Sequence, residues 1–132
     1  MKKITGYLID VAHEKASVAT IDHELQAFYD ILGCRLVEMP TRWIGQRNGR
    51  PYVIICDEEG LFADAPKVSA IDNMGQVMLV GNLFIVKAGM EGELDSLDED
   101  DIKYLERFIQ PESTRMFRNP YPMLHQCEYY TR

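Results

Sequence analysis

The dipeptide Asn48-Gly49 limits what this chain can fold into more than any other feature. Both residue types tolerate the positive φ that a two-residue hairpin turn requires, and Arg47-Asn48-Gly49-Arg50 lies between two extended segments, Arg42 to Gln46 and Pro51 to Asp57. An antiparallel hairpin is expected here. Val53, Ile54, Ile55 and Cys56 form a continuous, largely β-branched run, the pattern of a strand buried on both faces, and Asp57-Glu58-Glu59-Gly60 closes it with a polar turn.

The remaining segments extend the same architecture. Lys3 to Val11 reads as a strand with apolar residues at both parities, a turn falls near Ala12 to Lys15, and Ser17 to Ile21 returns antiparallel to it. Asp22 is the expected N-cap of a helix over 24–32, where Leu25, Phe28, Tyr29 and Leu32 recur at helical spacing and Gly33 supplies the C′ residue. Cys34 to Met39 alternates as a short strand ended by Pro40, Leu61 to Ile71 is a loop or short extended segment, and Gln76 to Lys87 is one long strand crossing the sheet. Ser96-Leu97-Asp98-Glu99 matches a capping box, and Ile102, Leu105, Phe108 and Ile109 share one face, which predicts a helix over 97–109 stopped by Pro111. The segment after Pro111 has prolines, tyrosines and no period, so its apolar groups need a surface elsewhere, on a neighbouring subunit or on the domain itself. The expected fold is α+β: a mostly antiparallel sheet of five to six strands, two helices and an extended C-terminal tail. With 132 residues there is room for one domain, residues 1–110, and a tail, 111–132.

Charge excludes some classes. Fourteen basic residues stand against 21 acidic ones, and the stretch from Glu91 to Glu106 alone holds eight acids and one base. Duplex nucleic acid is not an expected partner, because displacing counterions from phosphate needs a basic face. The longest apolar segment, Val77 to Val86, is about half a membrane span and is broken by Gly81-Asn82, so no membrane partner is expected. Three cysteines, Cys34, Cys56 and Cys127, are too few and too scattered for a disulfide framework, and no signal peptide is read at the N-terminus; both indicate a cytoplasmic protein.

From about residue 4 to residue 109 the chain resembles a family of phages, plasmids and conjugative elements of Gram-positive bacteria, domain of unknown function 3846. The resemblance lies in Ile54-Ile55-Cys56-Asp57-Glu58-Glu59-Gly60-Leu61, Gly81-Asn82-Leu83-Phe84-Ile85-Val86 and Ser96-Leu97-Asp98-Glu99-Asp100-Asp101-Ile102. It carries no catalytic residues onto numbered positions. It implies a setting, the accessory genes of mobile elements, in which small non-enzymatic proteins counter host defences.

The histidines His13, His23 and His125 are not at ligand spacing, so no metal or cofactor is expected. Cys56 beside three carboxylates is a poor nucleophile, since negative neighbours disfavour the thiolate. Asp98 to Asp101 suits the positive end of a helix, with a divalent cation as the alternative. Gly81-Asn82 marks either a sheet bend or a gap that admits a ligand read by the Asn82 amide.

Residues 34 to 52 set Arg35, Arg42, Arg47 and Arg50 against Glu38, with Trp43 and Tyr52 interleaved, and the tail repeats the pattern with Arg115, Arg118 and several tyrosines. Arginine forks match phosphate and aromatic faces stack on bases, although the same arginines would also solvate a sheet edge. The expected ligand-binding residues are therefore Arg42, Trp43, Arg47, Arg50, Asn82, Arg115 and Arg118. The expected function is sequestration of a nucleotide-derived defence signal without catalysis; the alternative is a protein inhibitor of a host defence enzyme, docking through the acidic segment or the aromatic tail. The expected partners are a nucleotide-type small molecule and a second copy of the chain, as a homodimer or higher homo-oligomer.

Overall fold

The computed structural model describes residues 2–40, 42–57, 67–113 and 118–129, with backbone alone at 42, 43, 112, 113, 118–120 and 129. In chain order the elements are β1 (Lys3–Asp10), β2 (Lys15–Asp22), α1 (Leu25–Leu32), β3 (Val37–Glu38), β4 (Arg42–Trp43), β5 (Gln46–Arg47), β6 (Arg50–Asp57) and β7 (Val68–Ile71). They continue with β8 (Val77–Val80), β9 (Leu83–Ala88), β10 (Leu94–Asp95), α2 (Glu99–Glu106), β11 (Ile109–Ser113), β12 (Arg118–Leu124) and β13 (Glu128–Tyr129). The fold is α+β with mostly antiparallel sheets. The described residues hold more strands than the five or six expected: seven in the first sheet, ordered β2-β1-β9-β6-β3 with β10 on β9 and β5 on β6, and four in the second, β11-β12-β7-β8. A two-stranded ribbon, β13-β4, completes the set.

Parity explains the layers. In the first sheet Tyr7, Ile9, Tyr52, Ile54, Leu83 and Ile85 face one way, while Ile4, Leu8, Ile55, Phe84 and Val86 face the other. Phe28 and Leu32 of α1 cover the second set. The first set packs on Leu105 of α2 and on Ala70, Ile71, Met78, Tyr121, Met123 and Leu124 of the second sheet. The run at Val53 to Cys56 thus lies in a strand with an apolar layer on each side.

Several local expectations change for identifiable reasons. The segment 76–87 is two strands in different sheets, because Gly81 takes φ 80°, donates its N–H to Lys67 O at 2.9 Å and turns the chain from the second sheet into the first. The cap of α2 is Asp98, two residues later than Ser96, whose Oγ instead accepts the Thr5 N–H at 2.9 Å. That helix ends at Glu106, and Ile109 begins a strand containing Pro111, tolerated at an edge and beside a bulge. Glu24, not Asp22, precedes α1 and makes no side-chain cap, since the Asp22 carboxylate pairs with Lys3. Gly33 ends α1 at φ 67°. Beyond residue 110, β12 pairs antiparallel with β11 and parallel with β7, and Tyr121, Met123, Leu124 and Cys127 are buried in the chain's own core.

Candidate functional site

The hairpin at Asn48-Gly49, with φ of 55° and 74°, makes Arg47 and Arg50 register partners across the turn. Both arginines meet the acidic segment. Arg50 donates to Ala88 O at 3.0 Å and to the Asp95 carboxylate, which it holds below the ordinary carboxylate range. Arg47 donates through Nε to Asp101 Oδ1 at 2.8 Å and through one amino group to both oxygens of Asp98, at 2.8 and 2.6 Å.

Period two explains what lies beneath. Tyr52 and Lys87 are opposite one another on β6 and β9, and Lys87 shares the parity of Leu83 and Ile85, so its side chain enters the layer under α2. There the Lys87 ammonium, only 9% exposed, reaches Asp101 Oδ2 at 2.6 Å and Asp98 at 3.5 Å, and the Tyr52 hydroxyl donates to Asp101 Oδ1 at 2.9 Å. Asp98 and Asp101 also form a reciprocal cap, each accepting the other's backbone N–H at 2.8 Å. The two cations balance the two capping carboxylates, and the exposed Asp100 carboxylate adds a third at the rim, 3.9 Å from Arg47. Burial pushes the Asp101 carboxyl upward, but the Asp98 N–H, Lys87, Arg47 and Tyr52 outweigh it and hold that carboxyl well below its usual range. Such a group is a fixed acceptor with no proton to exchange near neutral pH.

Of the residues expected to bind a ligand, Arg47 and Arg50 thus carry internal ion pairs. Asn82 accepts the Ala12 N–H at 3.3 Å, next to the strand switch at Gly81. Arg42 and Trp43 are register partners of Tyr129 and Glu128 in the β4-β13 ribbon, which brings the arginine-tryptophan pair beside the C-terminal segment of the same chain. Arg118 lies in β12, its side chain outside the described residues, and Arg115 lies outside them altogether. Sequence reasoning missed Lys87 and the role of Asp101. The legible signal was parity, because a lysine alternating with Leu83 and Ile85 demands a buried anion.

The other candidates occupy settled positions. Cys56 is buried with its Sγ 3.9 Å from Glu38 Oε1, and the turn after it, 58–60, lies outside the described residues. The carboxylates of Asp98 and Asp101 are engaged as above, and among the described residues no group of three or more His, Cys, Asp or Glu side chains is placed to hold a metal ion. No described helix is long and apolar enough to cross a membrane. A pocket of about 380 Å³ opens between the β7-β8 turn, with Asp72, Asn73 and Met74, and the bend at His125 and Gln126. Its His125 ring lies 2.9 Å from Gln110 O. The bend leads through Cys127, whose N–H donates to Ile71 O at 3.0 Å, directly into β13 and the ribbon.

Comparison with curated proteins and with solved structures returns no match. The family model of a domain of unknown function does match, from residue 4 to residue 110, over the hairpin, the strands of the first sheet, β7 and β8 of the second and the capped helix. The chain belongs to the DUF3846 family.

Proposed function

We propose that the chain is a non-enzymatic binding protein that sequesters a nucleotide-type ligand, of the counter-defence kind that mobile elements carry, in the pocket beside the β4-β13 ribbon. One observation carries this reading: the bend that walls the pocket continues into the strand paired with Arg42 and Trp43. Asn73 and Gln126 supply hydrogen-bonding groups suited to a base edge, an arginine fork suits phosphate, and about 380 Å³ falls within the usual range for small-molecule sites. Arg47 and Arg50 serve this reading indirectly, by fixing the hairpin that follows β4. The alternative, inhibition of a host enzyme, has the exposed acids of the segment as its surface, Glu91, Glu93, Glu99 and Asp100 among them, while the aromatic Tyr121 is buried and Asp95 and Asp101 are paired within the chain.

The test is mass spectrometry of small molecules released by heating the purified protein, followed by calorimetry with a panel of nucleotides. Arg42→Ala is expected to weaken binding by about one to two decades, the loss of a charge-assisted hydrogen bond, with the melting temperature nearly unchanged. Normal binding by both Arg42→Ala and Trp43→Ala refutes the site, and recovery of a cleaved nucleotide refutes the non-enzymatic reading.

A further inference from the structure

We propose that the outer edge of β2 is a docking site for an extended segment of a partner protein, uncharged at its centre and carrying a basic side chain, which joins the first sheet as its next strand. This surface shares no residue with the pocket or the β4-β13 ribbon.

β2 is the last strand of its sheet. In an antiparallel ladder a residue's N–H and C=O point to one side, and successive residues alternate. His23 donates its N–H to Lys2 O at 2.9 Å, which assigns the odd-numbered residues of β2 to β1 and turns Ala16, Val18 and Thr20 outward. Among the described residues, no backbone group of those three has a hydrogen-bond partner. Ala16 to Ile21 contains no charge and no proline, two of the devices that normally protect an edge, and Val18 is 44% exposed. An edge of this kind recognises an extended chain by backbone hydrogen bonds and reads its alternate side chains in an adjacent groove.

That groove is present. It measures about 430 Å³ and lies between Thr20, Ile21 and Asp22 of the strand and Ala27, Asp30 and Ile31 of α1. Ile21, Ala27 and Ile31 offer an apolar surface for one side chain of the incoming segment. At the rim Asp22 is matched by Lys3, but Asp30 is bonded only to the neutral Gln26 amide, at 2.9 Å, and pairs with no cation among the described residues. A lysine or arginine two positions from the apolar side chain, and hence on the same face, complements it.

A second copy of the chain fits less well. Two-fold pairing of β2 must set outward residues against outward residues. Centred on Val18, it opposes Glu14 to the second copy's Asp22; centred on Ala19, it opposes Glu14 to the second copy's Glu24. Like charges directly across a ladder destabilise it; Lys67 beside Glu14 and Lys3 beside Asp22 temper the first register, while each copy carries a net charge of −7.

The experiment is selection of random octapeptides on the full chain, with titration and amide hydrogen exchange of the synthesised binders. Selected peptides are expected to alternate, to pair an apolar residue with a basic one two positions away, and to slow exchange at Ala16, Val18 and Thr20. Val18→Pro removes an outward N–H without touching the β1 ladder and is expected to weaken binding about tenfold or more. Asp30→Lys, on the exposed face of α1, is expected to reverse the preference from basic to acidic peptides and keeps the proposal testable should the proline variant fold poorly. The proposal is overturned if no peptide binds more tightly than about 1 mM, if protection appears away from β2, if both variants bind as the parent does, or if light scattering shows a dimer that Val18→Pro dissolves.

Discussion

Removing the Asp101 charge exposes an asymmetry built into the cluster. Asp101 is 1% exposed and accepts from Lys87, Arg47, Tyr52 and the Asp98 N–H. In Asp101→Asn, Arg47 keeps Asp98, but the buried Lys87 ammonium retains only the longer 3.5 Å approach to Asp98. Leaving a buried charge without its partner costs about 3–5 kcal/mol. For a chain of 132 residues that corresponds to a fall in melting temperature of about 10–20 °C. Lys87→Met behaves differently, because Asp101 then still has Arg47, Tyr52 and the Asp98 N–H. The lost charge-assisted bond is offset by the desolvation no longer incurred, and the expected change is within about 1 kcal/mol. Urea denaturation of the two single variants and the Lys87→Met/Asp101→Asn double variant gives the coupling, and the double variant should recover much of the loss. Equal costs for the two single variants, or a coupling near zero, would refute the claim that Asp101 is held in place chiefly to neutralise Lys87.

Four further outcomes follow from the structure. Because Asp101 is depressed below its unfolded value, its contribution is present above about pH 4 and is lost as the pH falls, so Asp101→Asn should flatten the acid limb of the stability profile. Burial, with the hydrogen bond to Glu106, raises Tyr7 to about 12, so its contribution is present below about pH 10 and lost as the pH rises toward about 12; Tyr7→Phe should weaken that alkaline loss in thermal melts. Gly45 holds φ 114°, a conformation strained for any side chain, and an added Cβ runs into the Tyr104 hydroxyl, so Gly45→Ala should cost about 1–3 kcal/mol by urea denaturation. A chain ending at Gln110 loses Tyr121, Met123 and Leu124 from the core, about 1.5–3 kcal/mol each, and should lack a cooperative thermal transition; an equally stable truncated chain would show that β12 is dispensable.

What the sequence made legible was local. The Asn48-Gly49 turn, the doubly covered strand through Ile54 and the Gly33 helix end each follow from the conformational preference of one or two residues. The strand switch at Gly81 was visible as an interruption, but its consequence depends on which sheet receives Val77–Val80, a tertiary choice. Ser96 and Asp98 both precede α2 with capping side chains, and the choice between them follows from Thr5, more than ninety positions earlier, which takes the Ser96 hydroxyl. At the candidate site, the basic hairpin and the acidic segment each stood out. Their pairing did not, since charge runs give sign without address.

The central strand β9 also has a kinetic consequence. It joins β1 by bringing Ile9 opposite Leu83, and β6 by bringing Ile54 opposite Ile85, so the first sheet remains divided until more than eighty residues have been made. The second apolar layer waits longer still, for Leu124. Contacts so distant along the chain slow the search for the native state into the range of about milliseconds to seconds. A nascent chain therefore emerges with β1 and β6 apolar on both sides and the uncharged edge of β2 open, a species with strong reason to associate before it can close on itself.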